Sequence, residues 1–190
     1  METSDARIFW EWLRKEYPLL NRRIMGMDSI SENRLAEVHP LLAQKVRAMA
    51  DALVAQEPSV VIRVTQGMRT WDEQADLYAK GRTVPPIGEQ FTVTNAPPGH
   101  SYHEFGLAVD VVPIGPLGPD WNVEHPVWQK IVQAGIREGL ASGALWHDRK
   151  DWPHFQLTGT LPVSPTPQIR SLLQTGGVEA VWQATGLELA

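Results

Sequence analysis

An aspartate stands inside a strand that is otherwise apolar. Residues 107–113 read LAVDVVP. Strand alternation puts Ala108, Asp110 and Val112 on one face and Leu107, Val109 and Val111 on the other. A carboxylate in such a strand is costly unless a positive group meets it, so any fold this chain adopts must bring that group to Asp110. Ala108 leaves space beside the carboxylate, and Gly106 lets another backbone or a ligand approach. The preceding stretch, GHSYHEFG, offers His103 in a loop that can turn it toward the same place. One imidazole and one carboxylate suit a divalent cation.

The chain has no cysteine, which excludes disulfides, thiolate catalysis and cysteine zinc sites, so any metal must be held by His, Asp or Glu. A catalytic zinc needs a third protein ligand and keeps its fourth position open. DWPHFQL, residues 151–157, supplies a candidate. Pro153 biases Trp152 to an extended conformation, and His154 opens a short strand able to pair near Asp110. Asp151, three residues earlier, is within reach of a water on the ion. Singly, each residue has a plain reading. His103 could be a hydrogen-bonded loop residue, Asp110 an internal cap or half of a salt bridge, and Asp151 surface charge in the run HDRKD. Jointly they supply three ligands and a general base.

The rest of the chain frames this site. Its 190 residues suffice for one domain with a hydrophobic core, and 43% hydrophobic with 21% charged residues is ordinary for a globular protein. A net charge of -5 argues against a nucleic-acid partner. The start carries early acids, and Glu11 interrupts its apolar run, so no secretory signal and no membrane span is read, and synthesis in the cytoplasm is expected. Residues 1–26 read as a helix with Ile8, Phe9, Trp12 and Leu13 on one side, either an appended element or a partner-binding helix. Ser29 and Glu32 have capping-box spacing. Pro40 then opens a longer helix with Leu42, Val46, Met49 and Leu53 on its core face. SVVIRVTQ, 59–66, is a strand, and GMRT a turn. Thr70 and Glu73 form a second capping box, for a helix that Gly81 ends. Residues 82–100 hold four prolines and two glycines, and loops this long are commonly functional or mobile. IGPLGP closes the Asp110 strand. Residues 124–141 suggest a helix along Val127, Ile131 and Ile136. PHFQL is a short strand, and LPVSPTP leads to a C-terminal helical segment. Strands interleaved irregularly with helices give an α+β fold with a small, largely antiparallel sheet.

These motifs also resemble a known family. SYHEFGLAVD matches the signature S-x-H-x-x-G-x-A-x-D of zinc peptidases that act on bacterial cell-wall peptides, and DWPH resembles their second motif. That family includes D-Ala-D-Ala carboxypeptidases, D-Ala-D-Ala dipeptidases and L-alanyl-D-glutamate endopeptidases of phage lysins. VTQGMRTWDEQADLYAKGRT and VTNAPPGHSYHEFG resemble the endopeptidase branch. The resemblance implies a hedgehog/DD-peptidase-like fold, an antiparallel sheet carrying Zn2+, and His103, Asp110 and His154 as the zinc ligands. It implies Asp151 as catalytic base and Arg69 as the arginine facing substrate and developing negative charge. It also places Gln74 and Ser101 beside substrate. Two features depart from the family pattern. Met68 replaces a usual aromatic, and where many relatives have a tryptophan and paired glycines shortly before the second motif this chain reads GLASGALWHDRK. The resemblance spans about residues 28–160, leaving 1–27 as an N-terminal helical extension. Residues 161–190 form a helical tail packed on the same domain, too short for a separate wall-binding module.

The resulting expectation is a monomeric zinc metallopeptidase that cuts the L-Ala–D-Glu bond of a peptidoglycan stem peptide or muropeptide, either on the wall after release or on wall fragments recycled in the cytosol. Two rival readings stand beside it. One is a D-Ala-D-Ala carboxypeptidase or dipeptidase. The other is a zinc-containing wall-peptide-binding domain without turnover, against which Asp151 and Arg69 argue. No nucleic acid and no membrane is expected as partner. His100 is near the site, nothing is assigned to His39, His125 or His147, and Trp152 either walls the groove or anchors the core.

Overall fold

The computed structural model describes residues 27–115, 117–157 and 161–187. The N-terminal helix expected over 1–26 lies outside the described residues. The elements in order are α1 (Ser29–Leu35), α2 (Pro40–Gln56), β1 (Ile62–Gln66), α3 (Trp71–Ala79), β2 (Ala108–Gly115), β3 (Gly118–Pro119), α4 (Val127–Arg137), β4 (Leu140–Ser142), β5 (His154–Leu157) and α5 (Pro167–Thr185). A 3-10 turn, Tyr102–Phe105, leads into β2. The sheet runs β1-β2-β5-β4, with β3 paired to β2, and every pairing is antiparallel. This is the expected α+β architecture.

Local signals account for most helix starts. Thr70 and Glu73 form the expected capping box at α3. At α1 the cap sits one residue earlier than the sequence spacing suggests. Asp28, not Ser29, is the N-cap, and its Oδ1 accepts from the backbone N–H and the hydroxyl of Ser31, both at 2.8 Å. Glu32 is thereby free to pair with Arg47 of α2. The α2 start is set by Pro40 and by His39, whose Nδ1 accepts from Leu41 N–H at 3.1 Å. Its stripe of Leu42, Val46, Met49 and Leu53 is buried as expected.

Helix α4 packs against α2 and the β4–β5 side of the sheet. A Cβ at Gly135 would stand 2.3 Å from Cε1 of Phe155 on β5 and 3.1 Å from Sδ of Met49 on α2, so only glycine allows this approach. Helix α4 stops at Arg137, not near 141, and Gly139 (φ 74°) turns the chain into β4. Ile136 is 43% exposed, because it follows Val127 by nine residues, half a turn off the buried stripe at 100° per residue. The buried side runs instead through Val127, Trp128, Ile131 and Ala134.

β1 and β2 pair Val64 with Val111 but Gln66 with Asp110. Thr65 is therefore an extra residue, a bulge that bends β1 where it approaches Asp110. β2 and β5 pair Asp110 directly with His154.

Candidate metal centre

Directly opposed residues on neighbouring antiparallel strands point to the same sheet face, so the Asp110–His154 pairing already places a carboxylate beside an imidazole. His103 arrives from the 3-10 turn. Glu104 sets that turn. It is buried, and its carboxylate accepts from the backbone N–H of Gly99 (2.7 Å) and of Ser101 (3.1 Å). Burial raises the Glu104 carboxyl above its ordinary value, against those hydrogen bonds.

The three donor atoms converge. His103 Nε2 lies 3.2 Å from Asp110 Oδ1 and 3.3 Å from His154 Nδ1, and His154 Nδ1 lies 3.4 Å from Asp110 Oδ1. Both imidazoles are nearly inaccessible, at 2% and 5% exposure. Their outer nitrogens are already committed. His103 Nδ1 faces the carbonyl of Gly67 at 2.9 Å and so carries its proton there. His154 Nε2 faces Gln156 Oε1 at 3.0 Å, and the Gln156 amide is oriented by donating from Nε2 to Val163 O. Two imidazole lone pairs and a carboxylate oxygen thus point at one spot, an arrangement that repels itself unless a positive charge sits among them. The titration tendencies agree. Burial would raise the Asp110 carboxyl, yet the charge and hydrogen bonds of the histidines hold it far below the carboxylate range. Burial would lower the His154 imidazole, yet Asp110 lifts it. A tetrahedral ion with ligands at 2.0–2.1 Å has donor–donor edges of about 3.3–3.4 Å, which this triangle matches. His103, Asp110 and His154 form a group that could hold a metal ion.

A cavity of about 640 Å³ opens over the triangle. Asp151 lines it, and Gly143 sets its position. The Gly143 carbonyl accepts from Asp151 N–H at 2.9 Å, and a Cβ on Gly143 would stand 2.6 Å from Asp151 O. Desolvation, and next the charge of Asp110, raises the Asp151 carboxyl against the pull of His154 and His103. Arg69 also lines the cavity, and its backbone N–H donates to His103 O at 3.1 Å. Its guanidinium donates from Nη1 to Gln74 Oε1 at 2.7 Å and approaches Asp110 Oδ2 at 3.8 Å, while the buried Nε finds no acceptor among the described residues. Ser101 lines the cavity, as does His100.

Gln74 departs from the sequence expectation. It is fully buried behind the wall, not on it, where it accepts from Arg69 and donates to Ala96 O at 2.6 Å. In this geometry it holds Arg69 and does not meet a ligand. Trp152 is a core anchor, edge-on to Trp128 at 6.5 Å. His39 is the N-cap of α2, and His125 Nδ1 accepts from Val127 N–H at the start of α4. The stretch 93–97, within the long loop of residues 82–100, forms one side of the cavity. Two residues that the sequence reading passed over belong to the site. Gln156 fixes the His154 ring, and its position two residues along the same strand could have revealed it. Trp146 packs at 4.9 Å from the His154 ring and lines the cavity, a role with no local sequence signal.

The family model for VanY, D-alanyl-D-alanine carboxypeptidase, matches residues 35–131, more than half of the chain. The chain belongs to the VanY family. The VanY match includes Arg69, His103 and Asp110 and ends before Asp151 and His154. The peptidoglycan L-alanyl-D-glutamate endopeptidase CwlK of Bacillus subtilis (strain 168) is 32% identical over 130 residues, which span 64% of this chain and 74% of CwlK. Among solved structures, the L-Ala D-Glu endopeptidase ChiX of Serratia marcescens is similar at a TM-score of 0.50 and 26% identity, over 70% of this chain and 90% of ChiX. A mutant of the vancomycin resistance D,D-pentapeptidase VanY from the VanB-type cassette, solved in complex with Zn(II), gives a TM-score of 0.50 at 18% identity, over 76% of this chain and 83% of that one, a likeness of fold.

Proposed function

We propose that this VanY-family protein is a zinc peptidase that hydrolyses the L-Ala–D-Glu bond of peptidoglycan stem peptides. The observation that carries the zinc-peptidase reading is the convergence of His103 Nε2, His154 Nδ1 and Asp110 Oδ1 at 3.2–3.4 Å beneath a cavity that Asp151 and Arg69 also line. The choice of bond is supported by CwlK and ChiX, both L-alanyl-D-glutamate endopeptidases by name.

His103, His154 and Asp110 would hold the ion, and zinc, when bound, supplies Lewis acidity and makes water nucleophilic near neutral pH. Asp151 acts as general base, taking a proton from the attacking water on its carboxylate and passing it to the departing amine nitrogen. Its raised carboxyl suits a group that must both accept and release a proton. Arg69, which lines the cavity, offers a fixed positive charge to the oxygen that becomes negative as the carbonyl is attacked. Gln74 and Asp110 keep its guanidinium in place.

A defined muropeptide incubated with the zinc-loaded protein should yield a peptide with a new amino-terminal D-Glu, read by mass spectrometry. Release of free D-Ala with the L-Ala–D-Glu bond intact would assign the carboxypeptidase reaction instead. Tight muropeptide binding with no cleavage would leave a binding domain.

A further inference from the structure

The turn that carries His103 is held from both sides by the segment after β5. Tyr102, immediately before His103, is buried and donates its hydroxyl to Pro162 O at 2.8 Å. Phe105, two residues after it, accepts at its carbonyl from Trp182 Nε1 of α5 at 2.7 Å. The next residue, Gly106, has φ 63°, and a Cβ there would stand 3.0 Å from Cζ2 of Trp182. The indole thus lies on the chain where it enters β2. Trp182 is fixed in turn by His39, whose ring it meets edge-on at 5.0 Å. The same segment reaches the second histidine. Val163 O accepts from Gln156 Nε2, and that bond orients the Gln156 amide toward His154. Val163 and Ser164 then form part of the cavity wall. The holding residues Pro162, Val163 and Trp182 all lie beyond residue 131, where the family match ends.

We propose that residues 161–187 are a clasp on the metal centre: Trp182 and Pro162 hold the His103 turn, Val163 holds His154 through Gln156, and Trp182 is a positioning residue for metal binding. The physical reason is preorganisation. An untethered turn would be free to swing His103 away from Asp110 and His154, and each ion bound would have to pull it back. Tethers on Tyr102 and Phe105 keep the donor triangle assembled beforehand.

The proposal rests on the zinc reading, and its test separates the two. Trp182→Phe keeps a ring in place but removes the N–H that bonds Phe105 O. Val60→Ala, in the core next to β1 and outside the site, is the control for general destabilisation. Zinc affinity, measured on the full chain by competition with a chromogenic chelator, should fall about 10-fold in Trp182→Phe, the lower end of the span for partners outside the ligands themselves. It should hold within about twofold of wild type in Val60→Ala. In the zinc-free protein the amides of Arg69, Gly106 and Leu107, which bond to His103 O and Tyr102 O, should exchange with solvent deuterium about 10-fold faster in Trp182→Phe while α2 is unchanged. Tyr102→Phe, which removes only the hydroxyl, should give the same pattern if Trp182→Phe does not fold. Unchanged affinity with unchanged exchange overturns the clasp, as does equal loss in Val60→Ala. If the wild-type protein binds no zinc, the metal reading fails and the exchange rates alone decide whether the segment holds the turn.

Discussion

At the scale of single residues, ligands, base and oxyanion donor should separate cleanly. His154→Ala removes one corner of the donor triangle and should strip most of the zinc, read by elemental analysis against about one equivalent in the wild type. Asp151→Ala should keep its zinc, since Asp151 is not among the three converging donors, and should lose about 100- to 10,000-fold in turnover. Loss of metal and activity together in that variant would make Asp151 a ligand or a structural support. Arg69→Lys keeps the charge but not the planar fork that meets Gln74. Its kcat/KM should drop markedly with zinc retained, and wild-type kinetics would reduce Arg69 to a support of the fold.

At the scale of elements, the site depends on where helices and turns begin. Helix α3 starts directly after Arg69, so its Thr70–Glu73 capping box fixes the guanidinium's approach and delivers Gln74 behind it. Thr70→Ala should cost about 1 kcal/mol, visible as a lower Tm; an unchanged Tm would show that packing alone fixes this helix start. Gly143 joins β4 to the stretch that carries Asp151. A Cβ there collides with Asp151 O and crowds His154 Cβ at 3.0 Å. Gly143→Ala should fold, yet turnover should fall by about 100-fold, the cost of displacing a reacting group by roughly 1 Å; full activity would show that the backbone yields there. Such elements were unevenly legible. The α2 stripe and the α3 cap could be read because both are short-range patterns. β4 could not, because its three residues carry no periodicity. They become a strand only because the free edge of β5 pairs Leu140 with Leu157 and Ser142 with Phe155.

At the scale of the whole molecule, stability should depend on zinc and on acid. An ion that binds only the folded donor triangle raises stability by mass action, by about 4 kcal/mol when free zinc exceeds Kd roughly a thousandfold. Chelation should lower Tm accordingly, and a Tm indifferent to zinc would argue against a folded, preassembled site. The acid limb has a different origin. Burial would raise the Asp28 carboxyl, but hydrogen bonds from Ser31 and pairing with Arg63 of β1 outweigh it and hold it below its ordinary value. A carboxyl depressed in the folded state stabilises fully above its unfolded pKa of about 3.9, and that contribution disappears as pH falls through the lower folded value. Denaturant midpoints followed below about pH 4 should decline less steeply in Asp28→Asn than in the wild type. Parallel acid limbs would show that the α1–β1 tie contributes nothing to acid sensitivity.

The sequence by itself determined the chemistry of the donors. A carboxylate inside an apolar strand, a histidine before it, a D-x-x-H before another short strand and the absence of cysteine are local facts, and side-chain chemistry is fixed by residue type. It also determined the helix starts that depend on one cap or one proline, though at α1 the cap is Asp28, through its bonds from Ser31, and not Ser29. Only the tertiary structure decided that Asp110 and His154 are direct cross-strand partners, that Gln74 supports Arg69 from behind the wall, that Trp146 packs on a histidine, and that the C-terminal segment grips the His103 turn. Each of these is a contact between residues far apart in sequence. Such contacts form where shape and hydrogen bonding are satisfied across packed elements, and no periodicity or motif within one stretch encodes the partner that another stretch brings to it.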